Sequence, residues 1–99
     1  MEERMKVSPD VCSWVDTEHT KLFIEAVIPG VKKEDIHLKM HEDSMYLDAP
    51  RDEIEYTSTM AFCCPVNDKA AKAHYENGLL RIEVPFKDPM EDATSVSIN

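Results

Sequence analysis

The chain has 99 residues, of which 42% are hydrophobic and 31% charged, enough for one domain built round one core. Its net charge of −9 excludes the clustered Lys/Arg footprint of a nucleic-acid binder and opposes docking on anionic membranes, and the acidity is read as a soluble, self-repelling surface. Met1-Glu2-Glu3-Arg4 leads into no apolar signal segment, no run approaches the roughly 20 apolar residues of a membrane helix, and three Cys give no disulfide framework, so the chain is expected to be cytoplasmic.

Residues 1–8 are charged and are read as an irregular arm, with Pro9-Asp10 opening the domain. Val11–Val15 has strand composition and Asp16–Thr20 has turn chemistry. Lys21–Ile28 is apolar on both faces except at Glu25, which places it centrally in a sheet, and Pro29-Gly30 stops it. Val31–Asp35 is a polar connection with room for one helical turn. Ile36, Leu38 and Met40 then alternate with His37, Lys39 and His41, the pattern of a half-buried strand. After a turn at Glu42–Ser44, Met45, Leu47 and Ala49 alternate with Tyr46 and Asp48, and Pro50–Asp52 turns the chain again. From Glu53 to Pro65 the β signal is dense. Ile54, Tyr56, Met60 and Phe62 take one parity, while Thr57 and Thr59 add β-branched surface on the other. Asn67–Ala71 is a loop with room for a helical turn.

Asn77-Gly78 is the strongest hairpin signal in the chain, because a type I′ turn needs φ > 0 at both central residues. Centring the turn there sets Tyr75 opposite Leu80 and Ala73 opposite Ile82. Leu80, Ile82, Val84 and Phe86 then share one face, with Leu79, Arg81, Glu83 and Pro85 on the other. Glycine occurs only at Gly30 and Gly78, so each is expected where the backbone demands it. Lys87–Ser95 is polar, and Val96 and Ile98 follow at period-2 spacing. About seven short strands with closely spaced turns and no strong helix predict an all-β antiparallel β-sandwich.

Three stretches resemble the α-crystallin domain of small heat shock proteins. Ala73, Asn77, Gly78 and Leu80 match the family's A-x-x-x-N-G-x-L signature. Pro29-Gly30-Val31-Lys32-Lys33-Glu34-Asp35-Ile36 is similar to its P-G-V-x-x-E-D-I run. Val96-Ser97-Ile98 resembles its C-terminal I-x-I motif, with Val at the first position. The resemblance spans roughly Pro9 to Ile98 and divides the chain into an arm (1–8), a domain (9–87) and a tail (88–99). It implies an immunoglobulin-like sandwich and an ATP-independent holdase that binds partly unfolded proteins, needs no cofactor or metal and does no chemistry. It also implies a groove that takes the Val96/Ile98 tail of a neighbouring subunit. That groove lies between Ile36, Leu38 and Met40 on one strand and Ala73 and Tyr75 on another, and clients are expected to use it too. The connection from Ala49 to Ile54 is too short for the swapped-strand loop of many bacterial, archaeal and plant relatives. Self-association is therefore expected to follow the animal type, edge to edge along Glu53–Phe62, with Ile54, Tyr56, Thr57, Ser58 and Thr59 in the interface. The rival within the same fold is a CS-type co-chaperone or adaptor domain that docks a folded partner, which the short arm favours.

Other constellations are weak. Cys63 and Cys64, neighbours in an expected strand, would point to opposite faces, and they are read as structural thiols. A redox or metal protein centred on them is the rival from another class. His37 and His41 would lie about 13 Å apart along a strand, too far to chelate one ion. Trp14 is expected to pack at the sandwich edge, an exposed interaction anchor being the alternative. No nucleophile-elbow, P-loop, zincin or dinucleotide motif occurs, so no catalytic residue is proposed.

Overall fold

Alternating side chains settle which face of each strand meets the core. In the computed structural model, which describes residues 4–88 and 93–99, Leu22, Ile24 and Ala26 are buried while their neighbours Phe23 and Glu25 are half-exposed. That alternation runs along β3 (Lys21–Val27) and recurs in β5 (Ser44–Arg51) and β8 (Leu79–Pro85). The other strands are β1 (Met5–Val7), β2 (Asp10–Val15), β4 (His37–Met40), β6 (Ile54–Ala61) and β7 (Lys72–Glu76). Single 3₁₀ turns occupy Lys33–Asp35 and Asp68–Ala70, and no helix among the described residues is long and apolar enough to cross a membrane.

The strands form two four-stranded sheets, ordered β1-β6-β5-β4 and β2-β3-β8-β7. Every neighbouring pair is antiparallel except β1–β6, which is parallel. The all-β sandwich is as predicted, and β3 lies inside its sheet between β2 and β8. Ile24, Ile28, Met45, Leu47, Val66, Ile82 and Val84 fill the core. Each such side chain contributes about 1.5–3 kcal/mol on burial.

The β7–β8 hairpin has the predicted register, Tyr75 opposite Leu80 and Ala73 opposite Ile82. Asn77 and Gly78 have φ of 52° and 82°, the positive values that a type I′ turn requires. The turn also has a tertiary job, because the Ile28 N–H donates to the Gly78 carbonyl at 2.8 Å. At the β2–β3 loop, the Asp16 carboxylate accepts from the Thr20 hydroxyl and from the backbone N–H groups of Thr20 and Lys21. Those bonds, led by the Thr20 hydroxyl, hold its carboxyl below the ordinary value of 3.8.

Two expectations need correction. Residues 1–8 are not irregular throughout, since Met5–Val7 forms β1, with Val7 packed against the core and the Met5 N–H donating to Glu53 O at 2.9 Å. The strand read as Glu53–Phe62 stops at Ala61, where the Phe62 N–H turns to the Asp43 carbonyl at 2.8 Å. Residues 1–3 of the expected arm and 89–92 of the expected tail lie outside the described residues.

Candidate functional site

A sandwich that is not closed into a barrel leaves edges whose backbone donors and acceptors are unpaired. Here the edges are β1 and β4 in one sheet and β2 and β7 in the other. Ile36, Leu38 and Met40, on and just before β4, are half-buried and pack against the core, as does Tyr75 of β7. Ala73, across from the buried Ile82, is itself exposed. The Tyr75 hydroxyl donates to the carbonyls of Ile28 and Val31 at 3.1 and 2.7 Å. It thereby ties the β7 edge to the crossover that leads into β4. The residues expected to line a groove are therefore apolar, partly accessible and on or beside two edge strands. The expected tail motif is not seated on its own chain: Val96 and Ile98 are 79% and 95% exposed.

The second expected surface, the outer edge of β6, is only half free. β1 pairs with it at Ile54, Glu55 and Tyr56. Ile54 and Tyr56, expected on an open pairing edge, are thus already paired within the chain. Thr57, Ser58 and Thr59 have β5 on one side and no strand on the other among the described residues. The Asp48 carboxyl facing Glu55 on this strand, by hydrogen bonding to its protonated form, then desolvation and the Asp48 charge, push the Glu55 carboxyl above the ordinary range. Lys6 and Arg4, on and beside β1, pull it the other way.

Sequence reasoning missed a shallow depression of about 430 Å³ on the outer face of the β2-β3-β8-β7 sheet. Trp14 stacks on Phe23 with ring centroids 5.7 Å apart and planes 15° from parallel. The Arg81–Glu25 ion pair, 2.8 Å long, forms one wall and Lys72 another. The signal was present as outward-facing aromatics at opposed strand positions, but it needed the β2–β3 register to be read. Trp14 is 45% exposed on edge strand β2, where its ring stacks on Phe23.

Cys63 and Cys64 are not strand neighbours pointing to opposite faces, as expected of them. They follow the end of β6, both are exposed, and their Sγ atoms lie 3.6 Å apart. Among the described residues no group of three or more His, Cys, Asp and Glu is placed to hold a metal ion.

No family model and no curated protein matches the chain. Solved structures do. Heat shock protein 16.0 from Schizosaccharomyces pombe superposes with a TM-score of 0.76 at 16% identity, covering 95% of this chain and 77% of that one. A small heat-shock protein from Xylella fastidiosa gives 0.70 at 16%, covering 92% and 94%. A small heat shock protein from Synechococcus phage S-ShM2 gives 0.61 at 14%, covering 92% and 98%. With superposition over most of each chain and so few residues in common, what these proteins share is the backbone, and the fold of this chain is that of the small heat shock proteins.

Proposed function

We propose that this chain is an ATP-independent holdase that captures partly unfolded proteins through apolar edge surface and does no chemistry. The observation that carries the proposal is the accessible apolar surface on two edge strands, Ile36, Leu38 and Met40 on and just before β4 and Tyr75 on β7, on a fold shared with small heat shock proteins. An extended apolar segment can add its backbone to such an edge and place alternate side chains against that surface. The net charge of −9 then keeps the complex dispersed. Three exposed free thiols suit a reducing compartment, in keeping with a cytoplasmic site of action.

The same surface is the seat we assign to the Val96/Ile98 motif of a second copy, in a tail spanning 88–99. Two buried apolar side chains contribute about 1.5–3 kcal/mol each, against an ordering cost of about 1 kcal/mol per residue. A single tail therefore binds weakly, and several in one assembly reinforce one another through effective concentration. Clients and tails compete for one surface in this reading. A second copy is also expected to pair along Thr57–Thr59, the stretch of the β6 edge left open by β1.

The test is light scattering of a heat-stressed aggregation-prone protein with and without the chain, in the absence of nucleotide. Suppression is expected. Suppression that requires ATP refutes the passive mechanism, and none at any ratio transfers the proposal to an adaptor domain that docks a folded partner.

A further inference from the structure

The turn after β6 is braced on three sides. The Phe62 N–H donates to the Asp43 carbonyl at 2.8 Å, the Val66 N–H to the Glu42 carbonyl at 2.7 Å, and the Lys87 N–H to the Pro65 carbonyl at 2.9 Å. Val66 is fully buried and Phe62 packs against the core. Between these anchors Cys63 and Cys64 are both exposed, as is Pro65 after them, and the two sulfurs lie 3.6 Å apart. Two soft donors are therefore held side by side on a backbone that is fixed before any ligand arrives.

Several chemistries compete for such a pair. Zinc takes four ligands, and no third donor stands near enough among the described residues to make a cluster. A disulfide between adjacent residues must form across a Cα separation of about 3.8 Å, below the usual span of about 4.4–6.8 Å. Peroxide is attacked by the thiolate, whereas the hydrogen bond with Cys63 and the charge of that neighbour push the Cys64 thiol up. The pair suits a soft centre that two sulfurs can satisfy.

We propose that Cys63 and Cys64 form a bidentate site for trivalent arsenic compounds. Loading is a condensation. Two As–S bonds form as the arsenic–oxygen bonds break, the two thiol protons leave with that oxygen as water, and no element is oxidised or reduced. The second thiol is already beside the first, so ring closure is intramolecular and draws on effective concentration. Cys12, on β2 in the other sheet, has no thiol partner of this kind and can form one As–S bond only.

The experiment uses phenylarsine oxide with the folded, reduced full chain in excess glutathione, read by intact mass. One phenylarsenic adduct is expected on the unaltered chain and on Cys12→Ser, lost on addition of dithiothreitol. Cys63→Ser and Cys64→Ser should each lose it. A thiol-reactive maleimide should label all three cysteines of the free chain but only one after loading, which tests the assignment without any substitution. The inference is overturned if no adduct survives glutathione, if the adduct persists in either serine variant of the pair, if Cys12→Ser abolishes it, or if loading protects fewer than two thiols.

Discussion

Replacing Gly78 by alanine, and Gly30 by alanine beside it, separates two costs that usually come together. Both glycines have φ of 82°, where an L side chain is strained by about 1–3 kcal/mol. The space beyond differs. A Cβ on Gly78 would meet the Pro29 Cα at 3.0 Å and the Pro29 Cβ at 3.4 Å. These atoms are parts of a ring and a backbone that cannot swing aside. On Gly30 it would meet the Arg51 Cδ at 2.9 Å, part of a flexible side chain that can. Movement of Pro29 would also disturb the bond from the adjoining Ile28 N–H to Gly78 O, 2.8 Å long, which links the hairpin to the end of β3. Gly30→Ala should therefore cost about the backbone strain alone, near 1 kcal/mol, and Gly78→Ala about 2 kcal/mol. Gly78→Val should reach the top of that range. For a domain of this size each kcal/mol lowers the melting temperature by about 4–8 °C. Urea or thermal unfolding followed by circular dichroism reads the order directly. Equal losses for the two alanine variants would refute the close-approach argument, and an unchanged midpoint for Gly78→Val would refute the turn itself.

Backbone N–H groups of successive strand residues point to opposite edges, so of Thr57→Pro and Ser58→Pro one should break the β5 ladder and unfold the sandwich. The other should lower self-association in sedimentation with the fold intact; if both merely unfold, the open β6 edge is not an interface. Deleting Val96–Asn99, or Ile98→Asp, should shrink any oligomer while leaving the melting temperature of the monomer unchanged, because these side chains are exposed on their own chain; an oligomer of unaltered size rejects the docking role of the tail. Asp16 has a folded pKa depressed by the Thr20 hydroxyl and the neighbouring amides, so its contribution is present above the unfolded value and fades as the pH falls through the lower folded one. Asp16→Asn should destabilise the chain at neutral pH and flatten the dependence of melting temperature on pH below about 4; parallel curves for the two proteins would remove Asp16 from the account.

What the sequence determined by itself was local. Asn77-Gly78 carries its turn in its own φ preferences, and strict alternation at Leu80, Ile82 and Val84 then sets both register and buried face. The central place of β3 follows likewise from apolar residues on both its sides. Tertiary structure decided the features that depend on residues far apart in the chain. β1 has three residues and pairs in parallel with a strand 49 positions away, so no turn announces it. Its presence determines how much of the β6 edge is open. The facing of Cys63 and Cys64 hinged on where β6 ends, and that was settled by the Phe62 N–H finding the Asp43 carbonyl. Ile36, Leu38, Met40 and Tyr75 are apolar in any arrangement; only the order of strands within the two sheets makes them edge residues. Period-2 patterning specifies which face of a strand is buried, but whether its backbone edge is covered depends on which other strand arrives beside it.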